Sequence, residues 1–173
     1  MKKIIVLVFV LIAFSCTNQR QQKIDMINTA ENELMKLINE PVDNDKAADL
    51  VTLYSQFVVE FPKDSACSKM LFKEAEILMN INRSKEAVVV LDSLIKNYPE
   101  SKLLPQAMHL KGFIYDDRLH SPEMAKISFE ALIHQFPNHI LSKNAADYIK
   151  ILGKSPQEVI REFELKLQKK DSL

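Results

Sequence analysis

Three aromatic-proline pairs, Phe61-Pro62, Tyr98-Pro99 and Phe136-Pro137, recur at spacings of 37 and 38 residues. The same apolar ladder leads into each pair. Leu50, Tyr54, Phe57, Val58 and Phe61 stand at offsets zero, four, seven, eight and eleven. Ala87, Leu91, Leu94, Ile95 and Tyr98 repeat those offsets, as do Ala125, Phe129, Leu132, Ile133 and Phe136. Steps of three and four trace one stripe along a helix, so each copy predicts an amphipathic helix with its apolar face inward. Proline lacks the donor that continues a helix and disfavours helical geometry at the residue before it, so all three helices are expected to stop at the same point. A ladder repeated three times in register confines the chain to stacked helical units, each covering the greasy face of the next.

Partner helices fall between the ladders. Leu71, Ala75 and Leu78 lie nine, thirteen and sixteen residues after Pro62, and Met108, Gly112 and Tyr115 lie at the same distances after Pro99. Gly112 costs about 1 kcal/mol against Ala inside a helix, so a close approach of a second helix is the expected reason for it. Ser121-Pro122 predicts a cap followed by proline at the first helical position, and Ser155-Pro156-Gln157-Glu158 predicts a capping box. Together these signals predict eight helices, at 23–39, 44–60, 65–80, 84–97, 102–116, 122–136, 139–152 and 156–169.

Composition narrows the chemistry. The 173 residues carry 23 Lys+Arg against 23 Asp+Glu, which argues against both an acidic disordered tail and a basic nucleic-acid binder. Two glycines are too few for phosphate-cradling loops or a hairpin-rich sheet. His109, His120, His134 and His139 lack the His-Glu-x-x-His spacing of a zinc helix. Asp43, Asp45 and Asp49 resemble a calcium loop only superficially, because Ala47 and Ala48 stand where a ligand and the turn glycine are needed; Asp43 reads better as a helix cap. Asp116 and Asp117 are adjacent on a helix, so their carboxylates diverge. Lys166, Lys169 and Lys170 complement the dipole of the last helix, and a phospholipid-surface role stays open beside that reading. With neither a nucleophile elbow nor a P-loop, the expectation is a non-enzyme without metal or cofactor.

The N-terminus reads as an address. Lys2 and Lys3 precede an uncharged apolar run from Ile4 to Phe14, too short to span a bilayer and of the right length for a signal-peptide core. The run ends Ala13-Phe14-Ser15-Cys16, which resembles a bacterial lipobox; an ordinary secretory signal with an incidental cysteine is the alternative. The resemblance implies cleavage after Ser15 and lipidation of Cys16. Thr17, in place of the aspartate of inner-membrane retention signals, implies an outer-membrane, periplasm-facing location. The expected divisions are a lipoprotein signal at 1–15, a polar tether at 16–22 and a helical repeat domain at 23–173. Removing 1–15 takes two lysines and no acid, leaving two more acids than bases. Cys67 would then be the sole thiol, expected as a small buried residue near a helix start.

These residues resemble the tetratricopeptide repeat, a 34-residue helix-turn-helix unit. In Ser68–Ser101 the small and apolar positions are held by Ala75, Leu78, Ala87, Leu91 and Leu94, with Pro99 near the end. The unit from Pro105 continues through Gly112, Tyr115, Ala125, Phe129, Leu132 and Pro137 after one inserted residue near His120. Ala145, Tyr148, Ile149 and Leu152, then Val159, Ile160, Phe163 and Leu167, fit a capping pair. The implied fold is all-α, a tetratricopeptide-like right-handed α-solenoid of antiparallel helix pairs. The string Tyr98-Pro99-Glu100-Ser101 is similar to the BamD-like repeat lipoproteins of outer-membrane protein assembly and to the C-terminal repeats of CpoB-like accessory proteins of the Tol-Pal system.

The resemblance implies a concave face lined by the first helix of each pair, a lipid-held protein scaffold and a protein or peptide partner. On that face it places Lys69, Phe72, Glu76, Met79 and Asn80 from one repeat, and Gln106, His109, Phe113, Asp116 and Asp117 from the next. Phe72 and Phe113 are either aromatic anchors for the partner or core residues against neighbouring helices. Glu76, Asp116 and Asp117 make the rim acidic and favour a basic or amphipathic segment. The carboxylate-clamp pattern of the repeat family needs Lys and Asn where Phe72, Glu76, His109 and Phe113 stand, which implies a ligand other than a free C-terminal carboxylate.

Overall fold

The computed structural model describes residues 2–36 and 43–171, with side chains for 18–36, 43–162, 164, 165 and 168. The side chains of Cys16, Phe163, Lys166, Leu167, Lys169 and Lys170 lie outside the described residues, as do positions 37–39 of the first predicted helix. Among the described residues every regular element is helical. They form two compact units, Met1–Ser101 and Lys102–Leu173. The first holds α1 (Lys2–Met35), α2 (Asn44–Glu60), α3 (Cys67–Asn80) and α4 (Ser84–Asn97), each packed on its sequence neighbour. The second holds α5 (Leu104–Phe113), a π-helical turn (Ile114–Arg118), α6 (Pro122–Gln135), α7 (Ile140–Ile149) and α8 (Pro156–Asp171), with α6 packed on both α5 and α7.

The ladder forms the core of each unit. Leu50, Tyr54 and Phe57 are buried, and so are their equivalents Ala87, Leu91 and Leu94, and Ala125, Phe129 and Leu132. The offset-eight residues Val58, Ile95 and Ile133 are half-buried at the edge of the stripe. All three stops adopt one conformation. Phe61, Tyr98 and Phe136 sit at φ −127, −128 and −131 with ψ 55, 60 and 58, outside the helical region as a residue before proline must be. Each accepts a turn hydrogen bond three residues on, from the amides of Asp64 (2.9 Å), Ser101 (3.0 Å) and His139 (3.0 Å).

Two of the stops are locked by a side chain six residues later. The Cys67 thiol donates to the Phe61 carbonyl at 3.0 Å, and the Ser142 hydroxyl donates to the Phe136 carbonyl at 2.6 Å. Cys67 is therefore buried at the first position of α3, as its sequence context predicts, and adds a second donor to a carbonyl at a helix end.

The longer second interval has a local cause. After α3 the chain turns through Asn82 at φ 62, and the Arg83 amide donates to Leu78 at 2.7 Å. At the matching place in the second unit the turn passes through His120 at φ 51, and the Ser121 amide donates to Tyr115 at 2.8 Å, one residue further along. The π-helical turn absorbs that extra residue, closing with the Leu119 amide on the Ile114 carbonyl at 3.0 Å. The helix predicted over 102–116 is consequently α5 plus this wider turn.

Asp43 caps α2 by accepting from the Lys46 amide at 3.1 Å. The Ser155–Glu158 capping box forms in both directions, with the Ser155 amide on Glu158 at 2.7 Å and the Glu158 amide on the Ser155 hydroxyl at 3.3 Å. Ser121 differs from expectation: it precedes Pro122, but its side chain makes no capping hydrogen bond to α6. Residues 17–22, expected as a tether, continue α1 as helix, and within them Arg20 forms a two-pronged ion pair with Asp64 in the turn after α2. Among the described residues no helix is long and apolar enough to cross a membrane.

Candidate protein-binding grooves

In the first unit, α1, α2 and α3 enclose a groove of about 380 Å³. One wall is a fixed polar network. Glu31 of α1 accepts from the Tyr54 hydroxyl of α2 at 2.6 Å and from the Lys73 ammonium of α3 at 2.6 Å. Desolvation pushes the Glu31 carboxyl up, but these donors together outweigh it and hold the group below its ordinary value. Burial and the neighbouring Glu31 push the Tyr54 phenol upward, so it stays a donor. Glu31 thus neutralises Lys73, and Glu76, on the same lining, is left as the excess negative charge. Partial desolvation raises the Glu76 carboxyl, with Lys73 pulling the other way. The rest of the lining is mostly apolar and adaptable, Leu34, Met35, Leu50, Ile77 and Met79, with Asn80 as its polar member and Met35 55% exposed.

Of the concave-face residues singled out from the sequence, Glu76, Met79 and Asn80 line this groove together. Phe72 is half-buried one turn earlier on α3 and lies outside the lining. Glu31, Tyr54 and Lys73 were missed, because nothing in a helical period tells which charged residues of separate helices meet.

The second unit uses its singled-out residues internally. The His109 ring tilts against Phe129 at 5.5 Å, and burial lowers its pKa, so it is an uncharged packing group at neutral pH. Asp116, in the π-helical turn, accepts from the Tyr148 hydroxyl at 2.6 Å. That bond, followed by burial, raises the Tyr148 phenol to about 12. Asp117 turns away to Arg118 at 2.9 Å, so the two acids diverge. Phe113 is half-buried at the end of α5. Gly112 is buried, and a Cβ there would lie 2.5 Å from the Phe129 ring, which accounts for the glycine by close approach.

Glu74 was also missed. It falls three residues after Leu71 and four before Leu78, a carboxylate on the buried stripe of α3, and it is only 4% exposed. One oxygen accepts from the Ser55 hydroxyl at 2.6 Å. A carboxylate inside an apolar ladder is the signal that could have found it. Among the described residues no group of three His, Cys, Asp or Glu side chains is placed to hold a metal.

No curated protein matches the chain. Residues 70–101, most of α3 and all of α4, match the tetratricopeptide repeat family. That segment is similar to a tetratricopeptide repeat, an all-α unit that typically binds protein or peptide partners and is typically not catalytic.

Proposed function

We propose that this protein is a non-enzymatic scaffold of the bacterial cell envelope, held at the outer membrane by lipid on Cys16 and facing the periplasm, where it docks a basic or amphipathic segment of a partner, in a role in outer-membrane protein assembly similar to that of BamD-like proteins. The observation that carries the docking is the α1–α3 groove. Its Glu31–Tyr54–Lys73 wall consumes the only cation on the lining among the described residues, and Glu76 remains to meet a basic side chain beside the apolar Met35, Ile77 and Met79. A preformed groove of this kind lowers the ordering cost of binding. The membrane part rests on the sequence alone: a short apolar run after two lysines, ending in Ser15-Cys16. Two acyl chains anchor stably where one does not.

The test is a photo-crosslinking side chain at Met79 in cells expressing the full chain. Adducts with a component of the barrel-assembly machinery, lost on Glu76→Lys, are the expected result. Adducts with Tol-Pal or peptidoglycan-synthesis proteins would instead place the protein with the CpoB-like accessories. The absence of any Glu76-dependent adduct would overturn the docking reading. Labelled palmitate should be incorporated by the natural chain and not by Cys16→Ser; incorporation by both, or by neither, sinks the lipid anchor.

A further inference from the structure

A second groove, of about 390 Å³, opens between α2 and α4 over α3. It lies on the other side of α3 from the first, since Glu74 lines it and Glu76, two residues on, lines its counterpart; two residues on a helix are separated by about 200°. Its lining mixes apolar and polar groups, with Val51 and Leu78 at depth, Val89 67% exposed at the rim, and Thr52, Ser55 and Gln56 along α2. Val59, one turn beyond Ser55 and Gln56 on α2, is 78% exposed and extends that flank.

Glu74 lies at the floor. Its Oε1 takes the Ser55 hydroxyl, whereas Oε2 is buried with no hydrogen-bond partner among the described residues. A buried carboxylate oxygen left unpaired costs more than any ordinary hydrogen bond returns, so the site is built to receive a donor. The nearest cation does not supply it. Arg83 gives both prongs of its guanidinium to Glu86, at 2.7 and 2.6 Å, and acts on Glu74 only through its field. Burial raises the Glu74 carboxyl above its ordinary value, with the Ser55 hydrogen bond and the Arg83 field pulling the other way, so an incoming ammonium would favour its ionised form.

We infer that the α2–α4 groove is a docking site for a protein segment that inserts a lysine side chain between Val89 and α2, its ammonium pairing with Glu74. The alkyl stem of lysine can lie along Val51 and Val89, and its ammonium brings donors to the unpaired oxygen and a charge that cancels that of the ionised carboxylate. A norleucine in the same place would fill the walls and leave Oε2 as it is. This site is independent of the α1–α3 groove and does not rest on the function proposed above.

The probe is a capped leucyl-lysyl-valine tripeptide, compared with its norleucine and ε-acetyl-lysine counterparts, titrated into the full chain lacking only lipid. Binding is read from the amide resonances of Ser55 and Val89 and from the carboxyl carbon of Glu74. The lysine probe should saturate at millimolar concentration, and the two neutral probes should bind at least about tenfold more weakly. Glu74→Gln, which keeps the shape and the Ser55 bond, should lose the same factor. Val89→Lys, a change at an exposed rim that leaves the fold intact, should block the groove with its own ammonium and abolish binding. Glu76→Gln should leave binding unchanged. Equal binding of charged and neutral probes, persistence in both Glu74→Gln and Val89→Lys, or no saturable shift at all would overturn the inference.

Discussion

Tyr98 donates its phenol hydrogen to the carbonyl of Pro62 at 3.0 Å, across 36 residues of chain. The aromatic of one helix stop is thereby fixed on the proline of the preceding stop. The Cys67 thiol, which holds the Phe61 carbonyl, lies beside the same phenol. Two successive aromatic-proline turns of the first unit thus share one small polar cluster, and the repeat interval is enforced by contact as well as by helix length.

Replacing Tyr98 with phenylalanine keeps the ring and removes the bond. The expected loss is about 0.5–1.5 kcal/mol, read as a lower urea midpoint with an unchanged slope. Burial, together with Cys67, raises the phenol from 10.0 to about 12. A group raised on folding contributes fully below its unfolded value and loses that contribution as the pH climbs through the folded one. The natural chain should therefore lose stability relative to Tyr98→Phe between these two values, and parallel alkaline limbs for the two proteins would contradict the assignment.

Gly112→Ala pits two effects against each other. Alanine gains about 1 kcal/mol of helix propensity, but its Cβ would stand 2.5 Å from Phe129, a ring 1% exposed and held between His109 and Tyr148 at 5.5 Å each. Overpacking of this kind costs about 1–3 kcal/mol and the ring has nowhere to retreat, so a net loss is expected. Phe129→Leu in the alanine background should recover part of it; a thermal midpoint raised by Gly112→Ala alone would mean that the ring moves freely.

The ladders and stops were legible because their cause is local: offset zero, four and seven residues are buried in all three copies, and a residue before proline has few conformations to choose from. The start of α2 at Asn44 and both ends of α4 follow directly. The π-helical turn was visible only as one extra residue before His120, since a period-counting argument detects an insertion without saying how the backbone takes it up. The grooves were half legible. Glu76 and Met79 were placed on one face by the resemblance to the repeat family. The Glu31–Tyr54–Lys73 network joins three helices, and pairing across helices depends on axial register that no single-helix pattern encodes.

Cys67 and Ser142 occupy the same position after their respective stops and make the same bond. Cys67→Ser should accordingly stay closer to the natural stability than Cys67→Val, which fills the space and leaves the Phe61 carbonyl with the Asp64 amide alone. Burial also pushes the thiol upward. In a Cys16→Ser background, a thiol reagent should react with Cys67 only as the chain unfolds, at a rate that follows urea; fast labelling of the native protein would show that α3 opens locally.

The Glu31–Lys73 pair gives a prediction with a sign. Desolvation raises the Glu31 carboxyl and the Lys73 and Tyr54 donors lower it further, leaving it below 4.5 in the folded chain. A depressed carboxyl contributes stability above its unfolded value and loses it as the pH falls through the folded one. Lys73→Met removes the ammonium but keeps much of the stem against Ile77 and Leu34, so the change isolates the charge. Because Glu31 and Lys73 are 21% and 33% exposed, solvent screens the pair, and the loss near neutral pH should be about 1 kcal/mol or less. That difference should shrink toward zero on acidification below 4.5, where Glu31 is protonated with or without its partner. Urea unfolding of both proteins across that range decides it: a gap that stays constant with pH would assign the effect of Lys73 to packing and remove the fixed charge from the wall of the α1–α3 groove. A gap that closes would leave Glu31 locked to Lys73 at neutral pH, and Glu76 as the acid available to an incoming basic side chain.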